Sequence, residues 1–248
     1  AAPAPSAMAA ALEAKASVAA LALLNNLPFC VVLSASQHLA DAVFHCPALA
    51  PAYAFGSMAA CLAGVGGNVA LVRSGLAFRA RVRLAVALQV VALATLTVST
   101  QVAGGAGFAV SLLGTAALGL SQAVGECSHL AAFRAFPPGL GAWGLGTGLA
   151  GLVGPLAYLA MARNGASDGD VFATSLLGPA LYSLAFARLF AAAERLPAPV
   201  DGGLGPARAW TEPSWGGAPA GALATVPLLA TAAQDPRSDA LNAEDGAP

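Results

Sequence analysis

The side chain best placed to do chemistry in this sequence is Glu126. It lies in the run Gly119-Leu-Ser-Gln-Ala-Val-Gly-Glu-Cys-Ser-His, and residues 84–125 before it contain no Asp, Glu, Lys or Arg. A carboxylate in a membrane-spanning helix costs roughly 2.5–3.5 kcal/mol on insertion scales. A carboxyl in such a place can take up and release a proton, which suits proton coupling. The structural alternative is that Glu126 reaches interfacial water or pairs with Arg134. Glu126 and His129 also form an E-x-x-H pair facing one way on a helix. Two such motifs with further carboxylates build di-iron sites in helix bundles. Only one copy is present, so neither a metal nor a cofactor is expected.

Two adjacent amides, Asn25 and Asn26, precede Leu27-Pro28. Paired amides in a spanning helix are costly unless bonded. Ser34, Gln37 and His38 follow at helical spacing on one face, and Asn26 and Cys30 extend that stripe toward the N-terminus. Such a stripe lines a polar cavity or bonds neighbouring helices together. A substrate or proton pathway would therefore draw on Asn25, Asn26, Ser34, Gln37, His38 and Glu126.

Helices able to hold these groups are legible in the hydropathy. Hydrophobic residues make up 58% of the 248-residue chain and charged residues 9%, against roughly 25% charged in soluble domains. Six apolar segments, at about 17–40, 51–72, 84–101, 107–133, 142–161 and 171–191, each exceed the roughly 17 residues needed to cross a bilayer. Helix is the expected form, because lipid offers no partner to an unpaired backbone group. The chain thus divides into an N-terminal cytosolic segment, 1–16, a six-helix transmembrane domain, 17–192, and a Pro/Gly/Ala-rich tail, 193–248, expected to be disordered and cytosolic. Alanine-rich low complexity is the competing reading of the whole. Leu, Val and Phe throughout the six segments argue against it.

With the N-terminus placed in the cytosol, Lys15, Arg73, Arg79, Arg81, Arg83, Arg134, Arg188 and Arg195 fall on that side and only Arg163 on the other. This bias predicts an even number of crossings and both termini in the cytosol. The far side carries Asp41, His45, Asp168 and Asp170. Gly144 and Gly148 form a GxxxG pair, continued by Gly151 and Gly154, a face on which helix backbones approach closely. Pro155 and Pro179 are expected to kink or open their helices, either as a transporter hinge or as ordinary features of membrane helices.

Several functions are excluded or disfavoured. A net charge of −1 without a basic face argues against nucleic-acid binding. Cys30, Cys46, Cys61 and Cys127 lack zinc spacing and suggest no disulfide framework. Leu120-Ser-Gln lacks the trailing glycine of a serine-nucleophile elbow. No P-loop or dinucleotide fingerprint is present. The chain is not expected to be an enzyme.

Two stretches resemble the battenin family. The first is Leu21-Ala-Leu-Leu-Asn-Asn-Leu-Pro-Phe-Cys-Val-Val-Leu-Ser-Ala-Ser. The second runs over 119–159, with Leu120-Ser-Gln-Ala-Val-Gly-Glu, Phe136-Pro137 and Trp143-x-x-Gly-Thr-Gly-x-Ala-Gly-Leu-x-Gly-x-Leu-x-Tyr-Leu. The resemblance implies an all-α, polytopic, six-transmembrane-helix bundle like the N-terminal half of a major-facilitator transporter. It implies a multi-pass protein of the lysosomal or vacuolar membrane, concerned with lumenal pH and with export of small polar metabolites such as basic amino acids or glycerophosphodiesters. The positions carried over are Asn25, Asn26, Glu126, Gly146, Thr147 and Gly148, and the Trp143, Gly146, Thr147, Gly148, Gly151, Gly154 motif is read as a packing and loop motif. Expected partners are the lipid bilayer, the substrate, and a second six-helix half or a second copy of this chain, with no nucleic acid. The alternative is a non-transporting membrane scaffold that organises other lysosomal or vacuolar proteins.

Overall fold

The computed structural model describes residues 5–133, 136 and 138–196. Arg134, Ala135, Pro137, the first four residues and the tail from 197 on lie outside the described residues. Within them the chain is helical, with no strand. Helix α1 spans Pro5–His38 and runs on through a π turn, Leu39–Val43. A 3₁₀ turn, Pro47–Leu49, leads into α2, Pro51–Arg73. Then come α3 (Phe78–Ser99), α4 (Gly104–Ala132) and α5 (Pro138–Arg163), followed by α6 (Asp168–Ser175) and α7 (Leu177–Ala193). Taken as one span, α6 and α7 complete six helices long and apolar enough to cross a membrane. The protein is a six-helix membrane-spanning bundle.

Helix ends run past the apolar segments. α1 begins well before residue 17, and α3 takes in Arg79, Arg81 and Arg83. Hydropathy marks only the oily stretch, whereas Arg, Lys and Ala are good helix formers that carry a helix into the interface. Turns are short. Gly75 (φ 76°) and Gly165 (φ 83°) stand just past α2 and α5 in the left-handed region. Each closes a Schellman cap, with Leu76 N–H donating to the Leu71 carbonyl and Ala166 N–H to that of Met161.

α1 packs along α5 and α7, α4 packs along α2 and α3, and α1 meets α4 at the centre. The central pair is the most enclosed: over an apolar stretch of 18 residues in each helix, 50% of α1 and 56% of α4 are buried, against 17% for both α2 and α5. Two cores result. At the end opposite the arginine-rich one, Phe44, Tyr53 and Phe108 meet edge to face among Leu39, Leu96, Leu118 and Phe172. At the arginine-rich end, aromatic rings surround His129. The start of α1 and the end of α7 share that end, joined by Arg195 Nη2 and Glu13 Oε2 at 2.6 Å. That pair is exposed and contributes little.

Proline interrupts the bundle in two different ways. Pro28 lies inside α1, so the Leu24 carbonyl one turn earlier has no backbone donor. Gln89 of α3 donates its Nε2–H to that carbonyl at 2.9 Å. Near Pro179 the sixth span is broken outright at Leu176, between α6 and α7.

Candidate functional site

The amide pair is buried where α1, α4 and α5 converge, Asn25 and Asn26 each being 3% exposed. Asn25 donates to the Gln122 carbonyl at 3.1 Å. Asn26 donates to the Ala22 carbonyl at 2.9 Å and to Thr147 Oγ1 at 3.4 Å. Gln122 returns an Nε2–H to Asn26 Oδ1 at 2.5 Å. The result is a polar knot of Asn25, Asn26, Gln122 and Thr147 at the middle of three helices. Gly125 makes room for it: a Cβ there would overlap Asn25 Oδ1 and come within 3.4 Å of the Tyr182 hydroxyl. Ser121 Oγ–H, donated to the Ala85 carbonyl at 2.7 Å, ties the same turn of α4 to α3. Bonds between side chains on separate helices act as glue where no water competes.

Glu126 lies one turn further along α4, half-buried. Its carboxyl is beside the Trp143 indole N–H of α5, without completing a hydrogen bond to it. The Cys61 thiol of α2 and the neighbouring Cys127 thiol are also close. Glu126 thus projects between α2 and α5, the two helices with the least cover. Arg134, its alternative partner, lies outside the described residues.

His129 belongs to a different environment. It is fully buried and donates Nδ1–H to the Gly125 carbonyl at 2.7 Å. Its ring stacks on Trp143 at 4.9 Å and meets the edges of Phe78, Tyr182 and Phe186. The E-x-x-H spacing therefore gathers no ligand set. Among the described residues no three His, Cys, Asp or Glu side chains come together as a metal would need.

The polar stripe of α1 splits along its length. Cys30 packs against Gly154 and Ser34 bonds back to the Cys30 carbonyl at 2.8 Å. Gln37 and His38 emerge exposed at the far end. His38 is three turns past Asn26, about 18 Å along the axis, so the two belong to separate clusters. There His38 Nδ1–H donates to Asp168 Oδ2 at 2.7 Å, and the Tyr158 hydroxyl donates to Oδ1 at 3.0 Å. Asp168 is 5% exposed, so this latch joins α1, α5 and α6 through a nearly enclosed carboxylate.

The glycine motif of α5 divides by face. Gly146, Ala150 and Gly154 form the seam with α1. A Cβ at Gly146 would overlap the Ala19 carbonyl and reach Ala22 Cβ at 2.7 Å, and one at Gly154 would reach Cys30 Cβ at 2.6 Å. Gly144, Gly148 and Gly151 have nothing within 4 Å. The face read from the Gly144/Gly148 pair is thus turned outward, since positions 144 and 146 lie on nearly opposite sides of a helix.

Sequence reasoning passed over three partners: Gln122, Gln89, and the cluster of Arg81, Asn68 and Ser128. Arg81, which the charge bias places at the cytosolic interface, is instead 4% exposed and donates to Asn68 Oδ1 at 3.2 Å, as does Ser128. A signal existed for Gln89, a lone amide in an apolar helix opposite a proline-containing one.

The family model of the CLN3 protein matches residues 16–199, all six spans but for the start of the first. The chain belongs to the CLN3 protein family. Among its relatives, Battenin of Dictyostelium discoideum is 29% identical over 164 residues, 66% of this chain and 38% of that protein. This CLN3-family chain therefore spans well under half the length of that relative. No solved structure matches it. The amide knot, Glu126 and the Trp143–Gly154 motif all fall within the stretch that defines the family.

Proposed function

We propose that this chain forms one half of a transporter of the lysosomal or vacuolar membrane. It carries small polar metabolites, basic amino acids or glycerophosphodiesters, and couples their movement to protons and so to lumenal pH. The observation carrying the reading is the position of Glu126: a half-buried carboxyl on the central helix α4, one turn from the amide knot, directed between the two least covered helices. Protons in membrane carriers move through such carboxylates. In this reading α1 and α4 supply one wall of a central cavity, in the manner of a major-facilitator half. A second half, or a second copy, supplies the other, and alternating access rocks one against the other. The basic end faces the cytosol, with both termini there.

The scaffold reading differs in what it requires. A scaffold needs the packing seam of Gly146 and Gly154 but not Glu126. The discriminating experiment replaces Glu126 alone by Gln in the full-length protein, leaving the amide knot intact, and measures lumenal pH and lumenal metabolites in isolated organelles. Transport predicts that both shift at unchanged protein abundance. Normal values at normal abundance would favour the scaffold.

A further inference from the structure

At the arginine-rich end, α3 and α7 leave between them a groove of about 630 Å³, open to the surface of the bundle where Ala87, Ser183, Ala187 and Ala191 are exposed. Its mouth carries Arg79 and Arg83, and its walls are Val82 and Val86 of α3 with Phe186 and Phe190 of α7. Neither the amide knot nor Glu126 borders it.

Among the described residues, the charge at this mouth is only partly compensated. α3 begins after Ala77 with no side-chain cap and no acidic residue in its first turn. It carries arginines there instead, at the end where the helix dipole is already positive and where an anion is favoured. Arg81 turns inward to Asn68. Arg79 and Arg83, four residues apart, share the outward face and are exposed. The Arg79 guanidinium rests 4.1 Å from the centre of the Phe190 ring, which holds it at the groove. The ion pairs among the described residues are His38–Asp168 and Arg195–Glu13, so neither arginine is neutralised by one. Glu194 lines the same groove. One carboxylate against two guanidinium groups and a helix N-terminus leaves the mouth positive.

The walls add a second requirement. A soluble anion would meet the arginines but gain nothing from the apolar walls beneath them. A molecule with an anionic head and a hydrocarbon tail matches both, and basic pockets between spanning helices on the cytosolic side are suited to anionic headgroups. We propose that the α3–α7 groove binds one anionic phospholipid, its phosphate on Arg79 and Arg83 and an acyl chain between α3 and α7. The site is independent of the transport reading, since it needs only the bundle and a bilayer.

The test uses the full chain purified in neutral detergent and incubated with an equimolar mixture of phosphatidylserine and phosphatidylcholine, with retained lipid read by native mass spectrometry. Phosphatidylserine is expected to be retained about thirtyfold over phosphatidylcholine, the factor that roughly 1 kcal/mol for each of two arginines at a membrane surface corresponds to. R79Q/R83Q brings the ratio near parity, and R79K/R83K keeps most of it. A187W, which fills the groove without touching a charge, lowers retention of the phosphatidylserine. Millimolar glycerol 3-phosphate leaves the bound lipid in place. Equal retention of the two lipids by the unaltered chain overturns the proposal. So does a preference unaffected by A187W, or one abolished by glycerol 3-phosphate, which would mark a site for free phosphate. Should R79Q/R83Q fail to remain monodisperse, R79K/R83K and A187W decide the matter alone.

Discussion

At the scale of single residues, the bundle separates groups that hold it together from a group free to react. Asn26 is of the first kind, with both ends of its amide bonded to other helices or to its own turn. N26A strands the Gln122 amide and the Thr147 hydroxyl. The expected cost is about 1 kcal/mol, the usual size of an interhelical bond in a membrane, seen as a lower unfolding midpoint in detergent. G125A is expected to cost more, about 1–3 kcal/mol, because its methyl group pushes Asn25 out of the knot. Glu126 is of the second kind. E126Q keeps the shape and removes the titratable proton, so fold and midpoint should be unchanged. The proton-driven component of uptake in vesicles of the full-length protein should fall about tenfold, within the 1–3 kcal/mol typical of coupling between sites. Unaltered pH dependence in E126Q would sink the coupling idea while leaving the knot intact. The residue types were readable in advance, but their division of labour was not. Two adjacent amides in a helix announce a polar contact, and only the neighbours decide whether that contact is a cavity or a bond.

At the scale of elements, proline and glycine show the same boundary between what sequence can and cannot tell. Six helices were legible because lipid admits no other economical backbone and each apolar run has spanning length. Their ends were less so, since helix continues into the charged interface. The rotation of each helix was least legible: an apolar environment on every side erases the hydrophobic stripe that marks the inner face of a soluble helix. Small residues remain as the marker, and α5 carries two sets of them. G146A drives a methyl group into the α1 backbone and should destabilise the bundle by about 1–3 kcal/mol. G148A points into open space and should change the bundle's own stability by less than about 0.5 kcal/mol. The bond between Gln89 and the carbonyl freed by Pro28 permits a sharper check. Q89L leaves Leu24 without a donor and should cost about 1–2 kcal/mol. In P28A the backbone supplies the missing donor, so adding Q89L should then cost far less. A double-mutant cycle on unfolding midpoints reads the difference directly, and additivity would show that Gln89 plays no part in satisfying the kink.

At the scale of the whole molecule, the cover is uneven. α1 and α4 are enclosed, whereas α2 and α5 present glycines and large apolar side chains outward, Phe55, Met58 and Leu62 on one and Leu145, Leu152 and Leu156 on the other. Lipid satisfies large apolar side chains by itself. It does not require glycine, which is favoured where another helix approaches closely. Gly56, Gly66 and Gly67 on α2 and Gly144, Gly148 and Gly151 on α5 all have open space above them, and Glu126 looks out between the same two helices. If a second set of helices covers this side and completes the cavity, G148L and G151L should leave the folding of this bundle unchanged, as the open space allows. The same changes should reduce transport by the full-length protein about tenfold or more, because misplacing a packed interface by even a residue's width disturbs the reacting geometry. Equivalent bulk at Ala94, exposed on α3 and away from the α3–α7 groove, should leave transport untouched. Uptake by G148L/G151L equal to that of the unaltered protein would mean that the α2–α5 face meets only lipid, and that the open side of Glu126 leads to no shared cavity.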